Sequence, residues 1–425
     1  MNLSKLNYIL IPKKPEELER LRRAWYAKYA YALVYFFFMF STEGQWLLIG
    51  WVMLSALSIN VEFTQYYVMW SVVTGLLFAS LLLRRGLLLH GVQLRFTGPP
   101  RVTIGEEVHL LVEIHNHGEQ PHQALRIERP FLPWDGRYLN PRPFVEHLAL
   151  GQSQICPVKA RFVARGEHNL GTASVRALTP LGFGLGPPVY SEPLRFLVIP
   201  RIAHVTHVHV DTVMRYQPGG VALASITGES REIIGVRPYR PGDPVRDLHA
   251  KTWARIGMPV VREYQQEYFT RIGIVIDTDG GEADDPIFEA MLSLAAGITA
   301  QLSRGEVLLD ILVIGEDVHQ LTLGRSLGFL EQALDLLACV APKQGFQAQT
   351  LQAQLTGHLD RLSCMLFLSL RWDPSRQYFT DWIEQQGTRC RKILVVGETP
   401  PPDAQAAGAT LVQAKEIQQN REIAV

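Results

Sequence analysis

Two aspartates two positions apart, Asp277 and Asp279, stand directly after the apolar run 271–276 (RIGIVI). Carboxylates at that spacing, beyond the end of a strand, offer two chemistries. One can attack phosphorus while the other moves a proton, or both can hold a divalent cation through hard oxygen ligands. Asp373, shortly after the apolar run 365–370, is a third carboxylate that could reach the same cation. Mg²⁺ is the ion such a set would take. The alternative is a turn whose aspartates accept from backbone amides. No P-loop, H-E-x-x-H or Ser-His-Asp order accompanies the pair. No catalytic residue is therefore assigned, and a metal-dependent, phosphatase-like hydrolase is kept as the alternative reading.

A second concentration of functional groups lies in 235–267, GVRPYRPGDPVRDLHAKTWARIGMPVVREYQQE. Pro241-Gly242-Asp243-Pro244 predicts a tight turn, because proline fixes φ and glycine takes what other residues resist. Around it stand Arg237, Tyr239, Arg246, His249, Lys251, Arg255, Arg262 and Glu263. Mixed charges at this density beside a turn predict an ion-pair network or a docking surface.

The elements that must position these residues follow from hydrophobic patterning. The run 271–276 predicts a central parallel strand ending at Asp277. Further strands are predicted at 307–314, 365–370 and 393–396, with helices at 286–304, 327–339 and 377–386 between them. That alternation argues for a doubly wound sheet over 269–425, where ligands bind beyond the carboxyl ends of the strands. From 91 to 201 the texture is different. Short alternating runs such as 108–114, 156–163 and 195–199, divided by Gly and Pro, predict an antiparallel β-sandwich. Residues 202–268 are left as a linker that carries the charged motif.

The first ninety residues are strongly apolar. Stretches of about 45–63 and 66–83 approach the ~20 residues a membrane span needs, and Glu62, Thr64 and Gln65 make a short turn between them. Arg20, Arg22, Arg23 and Lys28 precede the apolar region, and Arg84-Arg85 end it. Basic residues on both flanks predict two spans with both ends in the cytoplasm. An aromatic run over 24–40 is placed in or near the interface. The 41 Lys+Arg balance the 41 Asp+Glu, and no dense basic stripe suggests a nucleic-acid partner. Four cysteines with no C-x-x-C pair suit a reducing compartment rather than a disulfide or zinc framework.

The charged motif resembles the signature of the bacterial family called domain of unknown function 58, in which G-L-R-x-Y-x-P-G-D leads into R-x-I-H-W-K-x-S-A-R and then V-R-E. Gly235, Arg237, Tyr239, Pro241, Gly242, Asp243, Arg246, His249, Lys251, Ala254, Arg255, Arg262 and Glu263 match it, while Ala250 and Trp253 depart. Arg165-Gly166, Pro180-Leu181-Gly182-Phe183 and Val198-Ile199-Pro200-Arg201 follow the family's order. The resemblance implies a membrane hairpin, an immunoglobulin- or fibronectin-like sandwich and a C-terminal von Willebrand factor A-like α/β domain. In such domains a D-x-S-x-S motif holds Mg²⁺; here Asp279 and Gly281 stand at the two serine positions. It also implies an adaptor in the cytoplasmic (inner) membrane, multi-pass, with cytoplasmic soluble domains; a structural envelope anchor without ATPase contact is the other alternative beside the hydrolase. Its partners would be membrane lipid, a MoxR-type AAA+ ATPase and, in some members, a transglutaminase-like membrane protein.

Overall fold

The computed structural model describes residues 36–58, 64–210, 216–227, 233–243, 245–268, 270–281, 285–305, 307–314, 318–323, 327–346, 348–359, 361–397 and 408–425. They divide into two compact units with the boundary between Val198 and Ile199.

The first unit opens with two apolar helices, α1 (Thr42–Leu57) and α2 (Thr64–Leu83). Ser41 caps α1 by accepting the Gly44 N–H at 3.0 Å, so the helix begins ahead of the expected 45. Most side chains of both helices are exposed, and the indoles that are not are tied across the pair. Trp51 Nε1 donates to Thr74 Oγ1 and Trp70 Nε1 to Ser55 Oγ, each at 2.8 Å. Among the described residues one helix, Thr64–Gly86, is long and apolar enough to cross a membrane. The rest of the expected first span, 59–63, and most of the aromatic 24–40 run lie outside the described residues.

Eleven strands follow: β1 (Val92–Thr97), β2 (Arg101–Thr103), β3 (Glu107–Asn116), β4 (His122–Glu128), β5 (Gly136–Tyr138), β6 (Phe144–Leu148), β7 (Ser153–Phe162), β8 (Gly166–Leu170), β9 (Ser174–Ala177), β10 (Val189–Tyr190) and β11 (Leu194–Ile199). They form sheets in the orders β1-β3-β7-β5, β10-β9-β4-β6 and β2-β11-β8. Every second residue of β3 is buried, and so is every second residue of β7 from Cys156 onward, as the period-two pattern requires. Leu110, Val112, Ile114, Leu125, Ile127, Val158, Phe162 and Val175 meet in one core.

In the second unit, β12 (Val205–His207) pairs in parallel with the last strand. Next come β13 (Tyr216–Thr227), β14 (Ile233–Pro238), the short helix α3 (Ala250–Ile256) and β15 (Val260–Tyr268). The largest sheet is built from β16 (Thr270–Asp277), β17 (Val307–Ile314), β18 (Val318–Leu323), β19 (Cys364–Ser369), β20 (Arg389–Val396) and β21 (Thr410–Gln413). Helices α4 (Pro286–Leu302), α5 (Leu327–Cys339), α6 (Ala348–Leu359), α7 (Pro374–Gln385) and α8 (Ala414–Gln418) accompany it, and β22 (Ile423–Ala424) closes the described chain. Its order is β18-β17-β16-β19-β20-β21, with β18 antiparallel at one edge. Buried residues of α4 and α5 pack with Ile272, Ile274 and Ile276; those of α6 and α7 pack with Val275, Met365 and Phe367.

The fold class expected from the sequence is corrected. The described residues are β-rich, with twenty-two strands in six separate sheets against eight α-helices. They do not reduce to a helical hairpin, one immunoglobulin- or fibronectin-like sandwich and a von Willebrand factor A-like doubly wound domain. The first unit distributes its strands over three sheets. The stretch expected as a linker folds as a three-stranded antiparallel sheet, β13-β15-β14. The sheet bearing Asp277 is mixed rather than parallel throughout. Charged and polar strands such as β15 (VVREYQQEY) show no apolar period, so periodicity passed over them.

Candidate functional site

Asp277 is the last residue of β16, a strand flanked by β17 and β19. A carboxylate there is removed from water by the sheet and needs partners. It has three. Oδ1 accepts the Asp279 N–H at 3.0 Å, while Oδ2 accepts Ser369 Oγ and Arg376 Nε, each at 2.7 Å. Ser369 is the final residue of β19. Arg376 sits in the first turn of α7, whose N-cap is Asp373.

Asp279 and Asp373 converge on the same guanidinium. Arg376 Nη2 donates to Asp279 Oδ2 at 2.7 Å, and Nη1 makes a short contact with Asp373 Oδ2. Asp279 Oδ1 accepts the Gly345 N–H at 2.9 Å, and Asp373 Oδ1 accepts the Arg376 N–H at 2.9 Å. Arg376 is 1% exposed and lies 4.8 Å from the centroid of Phe346, which adds a cation–π contact. The three expected metal ligands are thus brought together, and a side-chain cation stands at their centre.

The electrostatics follow from burial and this pairing. Burial pushes the Asp277 carboxyl above its ordinary range against the pull of Arg376. Burial would also raise Asp279, but bonds from Arg376 and the Gly345 amide outweigh it and hold the group low. For Arg376, burial disfavours the charge, and the surrounding carboxylates overcome that and raise it.

Mg²⁺ does not fit this arrangement. All six carboxylate oxygens already accept hydrogen bonds, and the central position is filled by a guanidinium. Gly281 cannot be exchanged for a hydroxyl-bearing ligand without movement, since a Cβ there would lie 2.7 Å from Phe288 Cδ2. Among the described residues no group of three or more His, Cys, Asp or Glu is arranged to hold a metal. The nucleophile reading meets the same obstacle, because Asp277 is fully buried and both its oxygens are engaged.

The charged motif forms a second constellation. Val236 of β14 lies opposite Arg262 of β15, and Gly235 opposite Glu263. Arg237 grips Asp243 with both terminal nitrogens, Nη1 to Oδ2 and Nη2 to Oδ1 at 2.7 Å each, the fork geometry in which arginine exceeds lysine. Asp243 also accepts the Arg240 N–H at 2.8 Å, across the Pro241-Gly242 turn where Gly242 takes φ +105°. The Arg237 and Arg240 contacts hold the Asp243 carboxyl down at about 2. The Tyr239 N–H donates to Pro259 O at 2.9 Å. His249 precedes α3 with Nδ1 2.6 Å from Thr252 Oγ1, and its N–H donates to Val260 O.

Beyond that frame the motif faces outward. Helix α3 has no buried residue. Lys251 and Arg255 lie on it, and Arg246 lies in the preceding turn, Val245–Asp247. Val245, Trp253, Ile256 and Met258 are large apolar residues exposed at 42–71% on the same short stretch. Arg237 and Asp243 therefore build the turn, while α3 and the turn present an apolar and basic surface. Sequence patterning identified the charges but not the apolar company they keep, and it missed Arg376 and Ser369. The only signal for Arg376 was a basic residue one turn after the Asp373-Pro374 helix start.

No protein-family model matches the chain, and no curated protein matches it. Among solved structures, a CARDB domain from Pyrococcus furiosus, determined in complex with two metal ions, aligns at 13% identity and TM-score 0.19, covering 25% of this chain and 87% of that one. A fragment of native alpha-2-macroglobulin from Escherichia coli aligns at 13% identity and TM-score 0.23, covering 75% of this chain and 40% of that one. Likenesses of this size carry nothing over to the residues described above.

Proposed function

We propose that the chain is a membrane-anchored adaptor of the domain of unknown function 58 kind, which recruits a MoxR-type AAA+ ATPase to protein complexes under assembly. The exposed surface of α3 carries this reading. A helix with no buried residue, displaying Trp253 and Ile256 beside Lys251 and Arg255, costs solubility unless something covers it. Aromatic and arginine side chains together are the composition of interaction hot spots. The Arg237–Asp243 fork fixes the turn that leads toward that helix, which would lower the ordering cost on binding.

In this reading α1 joins α2 as a second span of the inner membrane, and the soluble units lie in the cytoplasm. Arg84 and Arg85 at the end of α2, together with the basic residues upstream, support that sidedness. The indole bonds between the helices support their insertion as a pair. A transglutaminase-like membrane protein would be a further partner.

The test is mild crosslinking in native membranes, followed by recovery of the full-length protein. Enrichment of an AAA+ ATPase, lost in Arg246→Glu and Trp253→Ala variants that still accumulate in the membrane, is the expected result. Absence of any ATPase from every sample would overturn the proposal.

A further inference from the structure

The emerging ends of α1 and α2 are fastened to the β-rich part of the first unit. The Ser41 N–H donates to Phe183 O at 2.9 Å, and the Leu185 N–H donates to Met39 O at 2.8 Å. Arg84 Nε, just past α2, donates to Leu185 O at 3.1 Å. Gly184 packs so closely that a Cβ there would lie 3.2 Å from Ser80 Cβ of α2. The loop around 181–185 is therefore held between the start of one helix and the end of the other.

Around this clamp the β-rich part shows an unusual surface. The Phe38 and Phe131 rings meet edge to face at 6.4 Å, and Phe131 is 68% exposed. Leu181, at the tip of the clamped loop, is also 68% exposed. Arginines reach the same place from the strands. Arg176 Nη1 donates to Phe38 O at 2.6 Å, Arg126 Nη2 to Thr42 Oγ1 at 2.9 Å, and Arg142 Nη1 to Thr42 Oγ1 at 3.5 Å. With Arg84 and Arg85 that makes five arginines, against Glu43 and Glu128, which pair with Arg126 and Arg142.

We infer that this collar, centred on Phe38, Phe131, Leu181, Arg126, Arg142 and Arg176, is a lipid-contact surface that seats the β-rich part on the bilayer interface and prefers anionic headgroups. The inference rests on the reading that α1 and α2 are inserted. Two observations favour lipid over a protein partner. The collar continues the exposed apolar surface of α2, where Phe78, Leu82 and Leu83 run up to Arg84 and the intervening Ser80 is buried. Its side chains are also those of an interface, aromatic rings at headgroup depth with arginines beside the anionic leaflet. The guanidinium bonds to backbone and threonine oxygens orient the arginines around the helix entry while leaving donors for phosphate.

The experiment places a nitroxide on the full-length protein at Phe131→Cys, Leu181→Cys, Phe78→Cys or Ile155→Cys, each with Cys339→Ser. The protein is reconstituted in nanodiscs of phosphatidylcholine alone or with phosphatidylglycerol. Accessibility to oxygen and to an aqueous nickel chelate is read by electron paramagnetic resonance. Labels at 131 and 181 should be several-fold less accessible to nickel than the label at 155. That protection should increase with phosphatidylglycerol and fall in an Arg142→Glu, Arg176→Glu background. A buried label at 78 with 131 and 181 as open to nickel as 155 overturns the collar and leaves the spans standing. A label at 78 that is itself open to nickel overturns the spans and the collar together. Protection equal in both lipids overturns the preference for anionic headgroups.

Discussion

Arg376 and Asp277 form a buried ion pair, Nε to Oδ2 at 2.7 Å, with the guanidinium 1% and the carboxylate 0% exposed. The same guanidinium closes on Asp279 and Asp373. Removing one member of a buried pair leaves the other charge uncompensated, and such losses run to about 3–5 kcal/mol. Arg376→Met should destabilise the second unit by about that amount in a denaturant titration. Arg376→Lys should recover only part of it, because an ammonium cannot reproduce three directed contacts from a planar fork. Equal stability of the methionine variant and the parent would refute the role given to Arg376.

The same geometry predicts a response to metal. The intact chain should show no change in melting temperature on adding Mg²⁺ or a chelator, since the carboxylates already hold their cation. An Arg376→Ala variant should be stabilised by millimolar divalent cation, with saturable terbium luminescence reporting the new site. Terbium binding by the parent at Asp277 would contradict this.

Gly281→Ser, which supplies the missing hydroxyl, should not create a metal site. Its Cβ would meet Phe288 at 2.7 Å and Pro342 at 3.2 Å. Overpacking of this kind costs about 1–3 kcal/mol. A lower denaturation midpoint with unchanged metal response is expected.

Asp243 supplies the pH prediction. Its carboxyl is held at about 2 by Arg237 and the Arg240 amide, below the ~3.9 of an unfolded chain. A depressed carboxylate stabilises the fold above its unfolded value, and that contribution is lost as pH falls through the folded one. The Pro241–Asp243 turn should therefore persist at pH 4 and loosen toward pH 2. The side-chain carboxyl carbon shift of Asp243 would follow this; a midpoint near 4 would show that the fork does not form in solution.

In the first unit, both ring nitrogens of buried His168 face acceptors, Gly166 O at 3.0 Å and Asp135 Oδ2 at 2.7 Å. His168→Leu keeps the apolar contact with Phe162 and Phe196 but strands Asp135, and a stranded buried charge costs about 3–5 kcal/mol. Amide exchange in β7 and β8 should accelerate accordingly, while exchange in the second unit stays unchanged.

What could be read from the sequence was local. The run 307–314 is a strand over the same residues, 271–276 lies within β16, and 66–83 lies within α2, because unbroken apolar runs leave little choice of element. The class assembled from those runs was not legible. Polar strands such as β15 and the antiparallel β18 carry no such signal, and a resemblance to a named family filled the gap with an architecture the sheets do not follow. The spacing of Asp277, Asp279 and Asp373 left a metal site and a backbone-bonded turn both open, and gave no sign that Arg376 stands among them. Nothing in one residue's type distinguishes a solvated arginine from one buried by three carboxylates 3, 97 and 99 positions away.

That separation bears on the order in which the chain can become native. When β16 and β17 emerge and pair, Asp277 faces the interior with its counter-charge still 99 residues off. Closing a loop of that length is slow relative to local pairing. The first strands of the large sheet therefore gain full stability only when α7 docks, so completion of its C-terminal part licenses its beginning. A protease given the chain during refolding should find β16 open until that late step, and then find it closed all at once.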